Sequence, residues 1–389
     1  MMQFIVFRRF NEKMIINGMY ILQEKSDTQL YNAILGELIE EAYHWKLDQN
    51  IFKMYLCFLI AHDENAFSLA AEKKGEEIDE QLKELAIRDL ELILQLFSSN
   101  VFDITYQKRK DRPSYSILYE ALEKRPSSEE FLHILIAYYR QYGCGTMNLY
   151  KAFKWQQTKG LIGISECDTI RLDELIGYDY QKQALIKNTE NFIQGKPANN
   201  ALLFGDSGTG KSSMVKALLN EYCHQGLRII DLSKSDFMYF NQIMPLLRNR
   251  GLYYIIFLDD LSFEEFETEY KYMKAIIEGG VEVKPQNVLI YATSNRRHLI
   301  RETWEERQGQ DVHISDTRQE KLSLSDRFGL SLTFTSPVQN AYLEIVMALA
   351  AQYHITLEPS KLREKAIQWE LAHGGRSGRV AKQFIQSLL

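Results

Sequence analysis

The run Gly205-Asp206-Ser207-Gly208-Thr209-Gly210-Lys211-Ser212 fits the phosphate-binding pattern GxxxxGK[ST], and it constrains this chain more than any other feature. It follows the apolar run Ala201-Leu202-Leu203-Phe204 and leads into Ser213-Met214-Val215-Lys216-Ala217-Leu218-Leu219, so a strand, a loop and a helix are expected in that order. Glycines at 205, 208 and 210 let the backbone curl until several N–H groups face one anion, and the helix behind adds the positive end of its dipole. Lys211 is the candidate for neutralising β and γ phosphates, and the Ser212 hydroxyl for ligating Mg²⁺. Asp206, Ser207, Thr209 and Ser213 complete the segment expected to hold a nucleotide.

Further apolar runs recur at Leu227 to Leu232, Tyr253 to Leu258, Val288 to Ala292 and Leu330 to Phe334. Helix-like segments, Ser213 to Cys223, Phe240 to Arg248 and Phe266 to Glu278, separate most of them, which predicts a parallel sheet covered on both faces. The run at Tyr253 ends in Asp259-Asp260, where α/β sheets bind ligands. Asp259 is expected to hold Mg²⁺ through water and Asp260 to polarise an attacking water. Asn295 ends the next run, placed to align that water. Arg327, just before the last run, and Arg379, in Arg376-Ser377-Gly378-Arg379, complete the candidate set.

The ordered series of phosphate loop, acidic strand end, Asn295, Arg327 and Arg379 resembles the AAA+ ATPases, with Leu175-Ile176-Gly177-Tyr178 similar to the segment beside the adenine. More narrowly, GDSGTGKSS, LDDLSFE, YATSNRRHL, EKLSLSDRFGL and RSGRVAKQF resemble an uncharacterised bacterial family of AAA+ ATP-binding proteins labelled a domain of unknown function. The resemblance is dense from Glu166 to Leu389 and looser before. It implies an α/β P-loop NTPase fold with a five-stranded parallel sheet in the order 5-1-4-3-2, a helical lid, and ATP held between them with Mg²⁺. It also implies that Arg327 reaches a neighbouring subunit's site in a homo-oligomer, while Arg379 acts from the lid. Arg376 is the alternative for the lid role; Arg379 is preferred because Val380, Ala381 and Phe384 then continue one helical face. Most AAA+ proteins carry Asp-Glu where this chain has Asp259-Asp260. The shorter side chain withdraws the carboxylate, and about 1 Å of misplacement lowers rates roughly a hundredfold, so slow, switch-like hydrolysis is expected. The alternative is an ATP-binding switch or scaffold with vestigial hydrolysis.

Before Trp155 the texture is helical. Ser26 and Asp27 can cap a helix carrying Leu30, Ile34, Leu38 and Ala42; another runs from Ile78 to Phe97; and Ser127 with Glu130 forms a capping-box spacing, with Gly143 and Gly145 as stops. Gln156 to Ser165 is polar and glycine-punctuated and reads as a linker. The expected domains are therefore an all-helical unit over 1–165, a nucleotide-binding α/β domain over 166–336 and a helical lid over 337–389. Hydrophobic residues at 45% and charged residues at 25% exclude a disordered or low-complexity chain, and a net charge of -6 argues against a broad basic face for coating nucleic acid. Cys57, Cys144, Cys167 and Cys223 show no paired spacing, which suits a reduced, cytoplasmic protein, and no apolar run suits a membrane span. Met14 is a second candidate start.

Other features are read more plainly. Phe237-Met238-Tyr239-Phe240 falls where polypeptide-threading machines carry an aromatic pore loop, but it lacks the accompanying glycine and reads as the buried start of a helix. Arg296-Arg297-His298 reads as a solvated or intersubunit turn, and Glu302 to Lys321 as a long polar segment expected to order at an interface or on a partner. The histidines show no zinc-ligand spacing. No guanine-reading Asn-Lys-x-Asp occurs, and no acceptor site for a small-molecule kinase is recognised. The client, protein or nucleic acid, is not encoded in any motif.

Overall fold

The computed structural model describes residues 3–262, 284–295 and 327–389, with Met273 and Ile277. Most of the expected helix Phe266 to Glu278, the turn Arg296-Arg297-His298 and the segment Glu302 to Lys321 lie outside the described residues. Two compact units are present: Met1–Lys151 with His224–Gly226 and Asn249–Leu252, and the remainder, Ala152–Cys223, Leu227–Arg248 and Tyr253–Leu389.

The first unit is built from α1 (Met14–Glu24), α2 (Thr28–His44), α3 (Ile51–His62), α4 (Ala66–Lys74), α5 (Glu80–Phe97), α6 (Ser116–Glu123), α7 (Ser128–Tyr142) and the single turn α8 (Thr146–Leu149). Helices α2, α3, α4, α5 and α7 start where a short polar side chain accepts from a free N–H group. Asp27 accepts from Leu30 N at α2, and Ser127 and Glu130 close a reciprocal capping box at α7. Gly143, at φ 78°, ends α7 in a conformation that side chains resist. Helix α3 is buried along almost its whole length and forms the centre of the core. The unit is not purely helical: β1 (Gln49–Asn50) and β2 (Thr105–Tyr106) pair antiparallel.

Two buried carboxylates organise this unit. Asp89 of α5 accepts from the backbone N–H groups of Ile5, Val6 and Phe7 at 2.7–3.0 Å, which fastens a segment whose Phe4, Phe7 and Phe10 fill the core. Glu72 of α4 accepts from Arg250 Nε at 2.8 Å and Nη2 at 2.6 Å, Cys144 N at 3.1 Å and Gly251 N at 2.9 Å. Gly251 is required there, because a Cβ would stand 1.8 Å from the Glu72 carbonyl oxygen.

The second unit is a seven-stranded sheet. Its strands are β3 (Ala152–Gln156), β4 (Gly160–Gly163), β5 (Ala201–Gly205), β6 (Leu227–Asp231), β7 (Tyr253–Leu258), β8 (Val288–Ser294) and β9 (Leu330–Phe334), in the order β4-β3-β6-β7-β8-β5-β9. The strands from β5 to β9 reproduce the expected parallel 5-1-4-3-2 arrangement. The expected strand number is corrected from five to seven, because β3 adds parallel to β6 and β4 returns antiparallel to β3. Most of this hairpin occupies the stretch read as a linker; Gly160, at φ 77°, serves its tight turn, a use of glycine that polar composition alone cannot distinguish from a flexible tether.

Central strand β8 is buried at every position, as a strand covered on both faces must be. Helix α9 (Asp179–Ile193) precedes β5, α10 (Lys211–Tyr222) follows the phosphate loop, and α11 (Phe240–Arg248) follows β6. Beyond β9 come α12 (Gln339–Gln352), α13 (Pro359–Ala372) and α14 (Gly378–Gln386), packed through Tyr342, Val346, Leu362, Ala366, Phe384 and Ile385 as the expected helical lid. Phe237 and Phe240 are buried while Met238 is 59% exposed, in keeping with a helix start.

Candidate functional site

The phosphate loop leaves the sheet at Gly205, which pairs with Phe334 at the end of β9. A Cβ on Gly205 would meet the Phe334 carbonyl oxygen at 2.0 Å, so glycine alone permits that pairing. Gly208 and Gly210 have φ of 76° and 92°, the left-handed conformations the curl needs, and Gly210 caps α10. Thr209 is buried and its hydroxyl donates to Asp206 O at 2.8 Å, bracing the loop from within. Ser207 is exposed and Ser213 partly buried in the first turn of α10.

Lys211 is 6% exposed, and its ammonium donates to Gly205 O at 2.9 Å, Asp206 O at 2.7 Å and Asn295 Oδ1 at 3.1 Å. Burial lowers its pKa from the ordinary value, opposed by the carboxylates of Asp206, Asp260 and Asp259 and reinforced by Arg379. Ser212 Oγ donates to Asp259 Oδ1 at 2.5 Å. Asn295 Nδ2 donates to Asp260 Oδ1 at 2.8 Å, so the amide spans from the loop lysine to the second acid. Asp260 sits at φ 52°, a conformation that a residue with a side chain adopts only when its surroundings hold it.

Thr293 supplies that hold, and it escapes the sequence reading. Buried in β8, it accepts from Asp260 N at 2.9 Å and donates to Asp259 Oδ1 at 2.6 Å, fixing both acids from the neighbouring strand. Its only sequence signal is a hydroxyl in an otherwise apolar run.

The lid meets the loop at Gly208, whose carbonyl accepts from Arg379 N at 3.1 Å. A Cβ on Gly208 would lie 2.9 Å from Ser377 Oγ, the atom that also caps α14 by accepting from Val380 N. Arg376 instead donates from Nε to buried Glu370 at 2.9 Å and 3.1 Å. The two arginines are thus separated by geometry, with Arg379 beside the loop. Arg327 is exposed and precedes Leu330, which pairs with Ala201, whereas the loop departs opposite Phe334. It lies toward the other end of the sheet and is not brought into the cluster.

Ile176 and Gly177 line a cavity of about 490 Å³ with Tyr178, Ser336, Val338 and Ile345. Ile176 also packs on the lid core, so the segment is gripped from both sides. That volume falls in the range of small-molecule sites, and its lining mixes apolar Ile176, Val338 and Ile345 with polar Asp179, Lys182 and Glu344.

A parallel 5-1-4-3-2 arrangement, a phosphate loop at its C-terminal edge, an acidic pair two strands away and a helical lid define a P-loop NTPase of the AAA+ type. Within that class, the chain belongs to the family described as "Protein of unknown function (DUF815)", which matches residues 148–389. A stretch of 68 residues is 38% identical to the replication factor C large subunit of Staphylothermus marinus, covering 17% of this chain and 15% of that protein. A stretch of 65 residues is 37% identical to the same subunit of Methanococcus vannielii, covering 17% and 13%. The chain thus spans only a small fraction of these curated relatives. Among solved structures, a point mutant of Thermotoga maritima RuvB aligns at 17% identity and TM-score 0.37, over 56% of this chain and 64% of that one. The Thermotoga maritima RuvB Holliday junction branch migration motor aligns at 13% identity and TM-score 0.34, over 56% and 72%.

Proposed function

We propose that this chain binds ATP with Mg²⁺ and hydrolyses it slowly, to drive or switch a conformational change in a partner. One observation carries the reading: three bonds, Lys211 to Asn295, Ser212 to Asp259 and Asn295 to Asp260, join the phosphate loop to the ends of two strands at a single edge of the sheet. The residues fit the groups they would hold. Gly205 to Ser213 would cradle the phosphates, Ile176 and Gly177 would flank the base, and the Ser212 and Asp259 oxygens suit Mg²⁺, which keeps several waters and takes few protein ligands. Bound there, the ion would offset phosphate charge.

The chain's own residues then divide the work. Asp260 would polarise the attacking water and Asn295 would orient it. Arg379 from the lid and Arg327 from a neighbouring copy would put positive charge where the γ-phosphoryl oxygens gather negative charge. The reading therefore includes a homo-oligomer with sites at subunit boundaries, in the cytoplasm, acting on a protein or nucleic-acid client. Among the described residues, no helix is long and apolar enough to cross a membrane.

A specific observation favours the alternative of an ATP-controlled switch with vestigial hydrolysis. The Asp260 carboxylate is short and held at φ 52°, with one oxygen accepting from Asn295, so only its remaining acceptor sites can serve a water. Turnover by the purified chain separates the two. The hydrolytic reading expects a rate below about 10 per second, the median for enzymes. It also expects loss of activity in Lys211→Ala and Arg327→Ala, with ATP binding retained in the latter. Full turnover in Arg327→Ala would refute the shared site, and tight ATP binding with no turnover would select the switch.

A further inference from the structure

A carboxylate inside a loop meant to collect phosphate oxygens works against the loop, since like charges in close contact repel even in water. Asp206 is such a carboxylate, and its side chain is engaged elsewhere. Its Oδ2 accepts from Ser336 N at 2.6 Å, while its own N–H donates to Phe334 O at 2.8 Å. We infer that Asp206 is a positioning residue that ties the phosphate loop to the start of the lid, so that nucleotide in the loop sets the lid's position; this rests on the ATP reading above.

The connection is short. β9 ends at Phe334, Ser336 and Val338 line the base cavity, and Val338 is the N-cap of α12. Thr335, between the two attachment points, accepts from Tyr178 OH at 2.7 Å, which links the same segment to another residue lining the cavity. At the other end of the lid, Gly208 O accepts from Arg379 N. The loop therefore holds the segment just before the lid's first helix through Asp206 and the lid's last helix through Gly208. When phosphate oxygens engage the loop N–H groups, any shift of the loop is carried into both helices. The Ser336 N–H also lowers the Asp206 pKa, keeping the carboxylate ionised and a strong acceptor.

The test uses the full chain and the non-hydrolysable analogue AMP-PNP with Mg²⁺, read by calorimetric affinity and by amide exchange over Gln339–Gln352. Asp206→Ala removes the acceptor, Asp206→Asn keeps an acceptor oxygen without charge, and Ser336→Pro removes the donor while leaving the carboxylate. In the wild type, the analogue should slow exchange in α12. Asp206→Ala and Ser336→Pro should bind roughly three- to tenfold more weakly, as expected for an exposed hydrogen bond, and should lose most of that protection. Asp206→Asn should retain it. Protection in Asp206→Ala equal to the wild type would overturn the inference. So would tighter binding in both Asp206 variants, which would mean that charge and not the bond matters. Failure of the wild type itself to bind the analogue would sink the ATP reading, and this inference with it.

Discussion

Replacing Arg250 by methionine keeps an unbranched apolar stem and removes the only cation bonded to Glu72 among the described residues. Glu72 has a fully buried side chain, and Arg250 is 8% exposed. After Arg250→Met, the carboxylate keeps the N–H groups of Cys144 and Gly251 but has no counter-charge. Breaking one side of such a pair destabilises by about 3–5 kcal/mol. Amide exchange in α4 and α7 should then accelerate by roughly two to three and a half orders of magnitude, because 1.36 kcal/mol is about a factor of ten. Adding Glu72→Gln to Arg250→Met should restore much of the protection, since no buried charge then remains. An acceleration below tenfold in Arg250→Met, or a double variant as unprotected as the single one, would refute the reasoning.

Other outcomes follow from the same geometry. Gly205→Ala should lower the melting temperature sharply or abolish folding, because its Cβ would overlap the Phe334 carbonyl and no flexible side chain is there to yield. Thr293→Val preserves shape but frees both acids, and should weaken Mg²⁺-dependent nucleotide binding roughly tenfold by titration calorimetry. His62 packs against Phe58, and burial lowers its pKa to about 4 from 6.5. A depressed histidine stabilises above its unfolded pKa and loses that contribution as pH falls from about 6.5 to 4, here roughly 2–3 kcal/mol. His62→Phe should flatten the acid side of a stability profile measured by urea titration. Asp89→Ala strands the N–H groups of Ile5, Val6 and Phe7 and should cost at least about 3 kcal/mol in the same titration. A chain begun at Met14, which would also lose Phe4, Phe7 and Phe10, should be no more stable than that variant.

The parts of the site legible in the sequence are those set by local rules. The curl at Gly205 to Ser212 and the acids at the end of β7 depend on near neighbours, and so do the caps at Asp27 and Ser127. Thr293 is of another kind, since its importance lies in facing Asp259 from the next strand, and pairing across a sheet leaves no mark on spacing. Asp206 is visible as a loop residue, but its bond to Ser336, 130 positions away, is not. The β3–β4 hairpin is hidden for a local reason: Gly160 and its polar neighbours have the composition of a tether, and only the partner strand β6 makes β3 a strand. Arg250-Gly251 looks like an ordinary turn before β7 until Glu72 is seen beneath it.

The Glu72–Arg250 bond also sets a timetable. The residues it joins are 178 positions apart, so during synthesis the helical unit carries a buried carboxylate whose cation has not yet been made. At about 5–20 residues per second, that interval lasts roughly 9 to 36 s. Throughout it Glu72 must stay hydrated, protonated or shielded by another protein, and the nascent unit is open at the site where Asn249–Leu252 will insert. The last piece of the helical unit thus arrives in the same stretch of chain as strand β7, whose end carries Asp259 and Asp260. A folded amino-terminal unit on the ribosome would therefore report that the acidic strand of the nucleotide site has already been translated.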